Sequence, residues 1–257
     1  MMLAGCTCLA TVPVNPDAAH ALTSEPINTI NGAITFGGTD LAIPAPSFDL
    51  AFGRFHNSKV SAGTLGPGWS RSFDWSLASV TNGAYEDRAG DFTVLNAGDG
   101  STYWFFLTNG VYLPPPDANL ALAFTSGEYR VTWPGGATAA FDTNGVIQRL
   151  TDGFGAGLTF THSGGQLTQV QHSNGKALTF TYAGTVLTRV DSPSTNLYVT
   201  FAYNAGGLLT NATRWADGGG LRGAVRLRRR ERADARLYCR LRRGAHRHGQ
   251  RPLVSRC

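Results

Sequence analysis

The chain has 257 residues, enough for one large domain or two small ones with a sizeable core. Only 15% of residues are charged, and 32 Gly with 11% aromatics favour an all-β protein with many turns. No window of eighteen apolar residues occurs, which excludes a spanning helix, and four cysteines without a C-x-x-C pair support neither a zinc site nor a disulfide framework. The net charge of +5 hides two unlike parts. Residues 1–220 carry nine Lys and Arg against fifteen Asp and Glu, whereas residues 221–257 carry thirteen Arg against two acids.

Residues 1–30 read as an irregular lead-in, rich in Pro, Ala and Asn from residue 10 onward, with the possible remnant of an export signal. Leu3-Ala4-Gly5-Cys6 matches a lipobox, which would make Cys6 a lipidated anchor if translation starts further upstream; a chance match is the competing reading. Residues 31–142 read as a β region. Between Ile34 and Leu77 short strands alternate with turns, the best being Ser47–Arg54 and Ser70–Leu77, with Trp69, Phe73 and Trp75 on one face of the latter as core. Further hairpins are predicted from Asp91–Leu95, Ser101–Leu107, Val111–Leu113, Glu128–Trp133 and Thr138–Phe141. Their turns fall at Gly98-Asp99-Gly100, Asn109-Gly110 and Pro134-Gly135-Gly136, and Pro114–Pro116 must form an extended loop.

From residue 143 to 215 the sequence repeats with a period of about 20. Phe160, Phe180 and Phe201 recur in register, as do His162, Tyr182 and Tyr203, and Leu150, Val170 and Val190. The strand Leu178-Thr179-Phe180-Thr181-Tyr182 alternates, so Leu178, Phe180 and Tyr182 share one face. A second arm follows each turn: Gln166–Gln171, Val186–Val190 and Leu208–Thr213. Leu167 and Val170 stand three apart, so either Leu167 belongs to the turn or the arm carries a bulge. Each unit is one antiparallel hairpin that cannot bury its apolar face alone, so neighbours must stack.

The pattern G-x-L-x-x-V, an aromatic strand and a small turn resembles the Rhs, or YD-repeat, family. Its Tyr-Asp pair falls on His162-Ser163, Tyr182-Ala183 and Tyr203-Asn204, all degenerate, with Leu167 and Leu187 completing the repeat signature beside Val170 and Val190. Upstream, Thr39–Pro44, Leu50–Ser58 and the block Leu65-Gly66-Pro67-Gly68-Trp69, with Asn57-Ser58 before it, resemble the segment that precedes the repeats in that family. The resemblance spans about residues 25–215. It implies a β shell of stacked repeats that encloses a C-terminal effector, often a toxin, in a secreted or cell-surface bacterial protein. Three repeats cannot close such a shell, so the chain is expected to be an incomplete fragment: antiparallel hairpins stacked into a curved sheet, partnered by the remaining shell and its effector.

The tail, residues 216–257, abandons the pattern for Arg. A frameshift near Gly218–Arg222 is the expected cause; a nucleic-acid- or lipid-binding basic arm is the rival. No H-E-x-x-H, G-x-S-x-G or P-loop is present, and Gly153–Gly157 is a turn rather than a dinucleotide fingerprint. No enzyme, cofactor or metal is therefore expected. Acids at Glu86, Asp87 and Asp91 are expected to be solvated, His162 to be a packing substitution, and His56 and His172 to lie at turns or strand ends. Two other readings stand beside the shell: a surface module binding glycans or proteins through exposed Trp104, Trp133 and Trp215, and a hydrolase marked by clustered acids of raised pKa.

Overall fold

Alternating β-branched and aromatic residues become strands throughout the computed structural model, which describes residues 35–47, 49–58, 63–85, 88–116, 118–193 and 196–216 and the backbone of 225–226. Cys6, the Glu86-Asp87 pair and the Arg-rich tail apart from that short backbone stretch lie outside the described residues. The described residues contain no helix. The protein is all-β, and every strand pairing is antiparallel.

Three strands open the chain: β1 (Thr35–Ile43), β2 (Leu50–Asn57) and β3 (Trp69–Arg71), in the order β1-β2-β3. The predicted strand from Ser70 to Leu77 breaks at 72–75. Asp74 causes the break: its carboxylate accepts the Arg71 N–H at 3.0 Å while its own N–H donates to the Arg71 carbonyl, closing a turn. Trp69, Phe73 and Trp75 are all buried, as expected, but from a strand end and a turn rather than from one strand face. The strand expected from Ser47 begins at Leu50 instead, because Ser47 sits in a bend with φ +72°.

A four-stranded meander follows: β4 (Ser76–Tyr85), β5 (Arg88–Asn96), β6 (Thr102–Thr108) and β7 (Val111–Leu113). One face buries Leu77, Leu95 and Phe105; the other carries a separate cluster of Phe92, Val94 and Phe106, flanked by Val80, Tyr85 and Trp104.

The repeats lie in an eleven-stranded sheet in which each strand pairs only with its sequence neighbours. Its strands are β8 (Ala121–Thr125), β9 (Glu128–Thr132), β10 (Thr138–Phe141), β11 (Ile147–Thr151), β12 (Gly157–Ser163), β13 (Gln166–His172), β14 (Ala177–Ala183), β15 (Val186–Asp191), β16 (Tyr198–Tyr203), β17 (Leu209–Trp215) and β18 (Val225–Arg226). The sheet thus begins at Ala121, upstream of the boundary drawn from the repeats, with β8 a strand that its weak alternation had hidden.

The geometry of one repeat settles the position of Leu167. Thr161 faces Gln169 and His162 faces Leu167, so Thr168 is an extra residue: a bulge. The same shift leaves out Thr188 and Thr210 in the next two hairpins. Each bulged threonine donates its hydroxyl across the hairpin at 3.0 Å, to the carbonyls of Thr161, Thr181 and Ala202. The bulge turns residues three apart onto one face, and both Leu167 and Val170 are buried.

Candidate functional site

The most elaborate side-chain arrangement lies where the first three strands meet the repeat sheet. Leu158, Phe160, Leu178, Phe180, Val199 and Phe201 all face inward, because the Thr between them face out. The lead-in supplies two more rings. Phe73 lies 6.0 Å from Phe160 and 5.9 Å from Phe180; Phe52 lies 6.1 Å from Phe180 and 5.9 Å from Phe201. Five rings therefore alternate between the two layers in the order Phe160, Phe73, Phe180, Phe52, Phe201, at tilted or edge-on angles suited to their quadrupoles.

Next to this ladder runs a row of tyrosines. Tyr182 Oη donates to Leu167 O at 2.9 Å and Tyr203 Oη donates to Leu187 O at 2.5 Å. Each tyrosine thereby ties its own hairpin to the bulge leucine of the hairpin before, at a carbonyl beyond the last cross-strand pair on that side, Gln169–Thr179 or Arg189–Thr200. His162 takes the same rung one hairpin earlier, opposite Leu167.

Two buried arginines bridge the layers. Arg71 Nη1 donates to Tyr182 Oη at 2.7 Å and its Nε to Asp74 at 2.5 Å, with the guanidinium 5.4 Å from the Phe180 ring. Arg54 pairs with Asp40, Nη2 to Oδ1 at 2.8 Å, and lies over the rings of Trp69 and Phe201. A buried cation persists only when paired and hydrogen-bonded, and both conditions hold. Burial opposes the Arg71 charge, but Asp74 and Tyr182 outweigh it and the pKa rises. Burial pushes Tyr182 up and Tyr203 to about 12, against the pull of the arginines, so both remain donors. His162 goes the other way: burial and then Arg71 lower its pKa, with Asp142 opposing.

The two signature loops clamp the ends of the layer. Thr64 O accepts the Leu187 N–H at 2.8 Å, and Leu65 is fully buried. Gly66, at φ +91°, would carry a Cβ 2.7 Å from Gly207 O, so a side chain is excluded. Asn57 N donates to Gly68 O at 2.8 Å and closes the loop, leaving Ser58 and Pro67 at the surface while Gly68 and Trp69 are buried. His56 lies edge-on to Trp69. From the opposite loop, Ser47 Oγ donates to Asp152, and Pro44 O accepts from Lys176 Nζ at 2.6 Å. Burial would raise the Asp152 carboxyl, but Ser47 and the backbone N–H groups of residues 154–156 hold it below the usual range.

Every repeat-signature residue expected to be structural, namely Phe160, Leu167, Val170, Phe180, Leu187, Val190 and Phe201, is buried, with His162, Tyr182 and Tyr203 half-buried along the tyrosine row. A unit escaped the sequence reading. Phe141 faces Ile147 across a bulge at Gln148, so β10–β11 is one more hairpin of the same kind. Its Asp142 Oδ1 accepts the N–H groups of Asn144 and Val146, and Asn204 Oδ1 does the same for Gly206 and Leu208. An acid or amide after the aromatic thus closes the longer turns, while the two-residue turns at Gly164-Gly165 and Gly184-Thr185 have no use for it. The 21-residue step from Phe141 to His162 was the available signal. Arg54, Arg71, Asp40 and Asp74 had none, because their pairing is tertiary.

The rival sites fare differently. Trp133 is buried edge-on against Trp75, not exposed; packing of β9 onto the turn before β4 covers it. Trp104 stacks on Tyr85, and Trp215, half exposed, on Tyr198. The acids with shifted carboxyls, Glu128 beside Arg130 and Asp152, are both lowered. Asp91 accepts the Asn82 N–H, and the buried His172 accepts the Asn174 N–H on Nδ1. A polar groove of about 350 Å³ over Thr159, Gln171 and Ser173 includes Arg149, which is tied to Glu128. Among the described residues no cluster of three His, Cys, Asp or Glu is placed to hold a metal, and no helix is long and apolar enough to cross a membrane.

The class of protein defined here is an antiparallel hairpin stack with a lead-in sheet docked on its aromatic face. Residues 24–105 match the family model described as domain of unknown function (DUF6531), a match running from before β1 into β6. No curated protein matches the chain.

Proposed function

We propose that this chain is the N-terminal part of a bacterial Rhs/YD-repeat protein, a non-catalytic, extracytoplasmic element of a shell that encloses and delivers a C-terminal toxin. The interleaved ladder of Phe52 and Phe73 with Phe160, Phe180 and Phe201 carries this reading. A stack of hairpins has an apolar inner face at its first turns that must be covered before a cavity can begin. The lead-in covers it, with two buried arginines matched to the tyrosine row, which suits a plug better than a ligand site. The uniform hairpin period suits extension by further units.

The test is to read the gene beyond codon 220 in all three frames. A frame that resumes the 20-residue period, with an aromatic rung and a bulge threonine in each unit, supports the shell. If no frame resumes it, the shell reading fails and the Arg-rich tail belongs to the protein. A second reading, a surface glycan-binding module, draws on the exposed stack of Trp215, Tyr198 and Arg189, whose guanidinium lies 3.8 Å from the Tyr198 ring. Quenching of tryptophan fluorescence by sugars, lost in Trp215→Ala, would favour it over the shell.

A further inference from the structure

The last strand of the sheet is a strand without repeat character held in repeat register. Within the stack, the inward residue that ends each hairpin faces the inward residue that opens the next: Leu150 faces Leu158, Val170 faces Leu178, Val190 faces Val199. At the edge, Ala212 faces Val225 and Asn211 faces Arg226, the same two rungs. The internal pairs are reached after eight, eight and nine residues, but the last after thirteen. A connection of different length would ordinarily bring a strand in at a different register, since turn length fixes register in hairpins. Here the edge fixes it.

We infer that the β17 edge is a strand-acceptor site that binds, in a defined register, an extended segment of repeat pattern supplied separately from this chain. The occupant is a peptide with an apolar residue opposite Ala212, a hydroxyl residue opposite Asn211 and an aromatic next. Main-chain hydrogen bonds hold it, and the alternate side chains select it. Three observations set this chemistry. The inward rung at Ala212 is smaller than Leu150, Val170 and Val190, which leaves its neighbour room for a branched or longer apolar side chain. Thr213 and Thr200 continue the outward hydroxyl row that Thr179 and Thr181 occupy. Among the described residues only Asn211 and Ala212 of β17 are paired on this side, so the native segment blocks two rungs and leaves the others open. The inference deepens the shell reading, because an edge that imposes register is what lets hairpins add one after another. It is tested on the protein alone, whereas the shell is tested on the gene, so the two can fail separately.

The experiment uses the full chain, its Val225→Pro and Arg226→Pro variants, and a labelled peptide copying residues 177–183, ALTFTYA. Proline lacks the N–H and cannot hold the ladder position, so each variant removes the internal competitor without touching the core. Fluorescence anisotropy reports binding, and amide hydrogen exchange reports where. The expected result is one peptide per chain, slowed exchange across 209–215, and binding to either variant roughly tenfold tighter than to the native chain, since a tethered competitor acts at high effective concentration. An isomer of the peptide with its apolar residues clustered should not bind. Equal binding of the two peptides, protection elsewhere than β17, or no binding to the proline variants overturns the inference. Self-association of the proline variants that excludes the peptide overturns it too, because the occupant would then be a second copy.

Discussion

Phe52→Ala is the sharpest probe of the docked layer. Phe52 is fully buried and touches three other rings, Phe73, Phe180 and Phe201. Truncating a buried phenylalanine costs about 3–5 kcal/mol through lost transfer and the cavity left behind. Each aromatic pair adds about 0.5–1.5 kcal/mol beyond its area, so the upper half of that range is expected. Domains of this kind are stable by about 5–15 kcal/mol, and with a urea slope of about 2 kcal/mol/M the midpoint should fall by about 2 M. The assay is urea unfolding of the full chain followed by tryptophan fluorescence and by far-ultraviolet circular dichroism. Because the lead-in and the repeats share one ladder, both signals should move together. A double-mutant cycle with Phe180→Ala should return a coupling of about 0.5–1.5 kcal/mol, whereas Phe124→Ala, at an exposed position of the same sheet, should cost little. A loss under about 1 kcal/mol, or a shift in one signal only, would refute the claim that the ladder joins the two layers.

Gly66→Ala should destabilise the chain by more than 1 kcal/mol on the order of magnitude expected for a strained backbone, since φ is +91° and the new Cβ would press on Gly207 O; thermal unfolding reads it. The raised Tyr203 pKa makes its contribution full below pH 10 and lost as pH rises through about 12, so alkaline unfolding should be shallower in Tyr203→Phe. For His162 the folded pKa is lowered, so the unfolded chain binds the proton more readily. Stability is then full above the ordinary value of 6.5 and lost as pH falls through the folded value. His162→Tyr should abolish that acid loss and, by supplying the hydroxyl that Tyr182 and Tyr203 use, raise the melting temperature; unchanged acid sensitivity would count against this assignment.

The strands of the repeats were legible because alternation is a property of the local backbone. Leu178-Thr179-Phe180-Thr181-Tyr182 declares its inward face with no knowledge of what lies beneath it. The 20-residue period likewise announced a stack of hairpins, since one hairpin cannot bury its own apolar face. Other features needed the third dimension. The Thr168 bulge was open until pairing showed Gln169 and Leu167 facing consecutive residues of β12. Trp133 looked as exposed as Trp215 in sequence, and only the approach of Trp75 distinguishes them. Arg54 and Arg71 are ordinary arginines in a strand and at its end until Asp40, Asp74 and Tyr182 are brought to them across the fold.

The sequence by itself thus determined the class of structure, the hairpin period and the face each aromatic presents, because backbone geometry writes those into neighbouring residues. Which surfaces meet was decided only in the tertiary structure. Whether Phe52 and Phe73 would lie between Phe160, Phe180 and Phe201, and whether the tyrosine row would receive Arg71, depends on contacts between residues more than a hundred apart. No local pattern encodes such contacts; they are fixed only when the burial of both layers is satisfied at once.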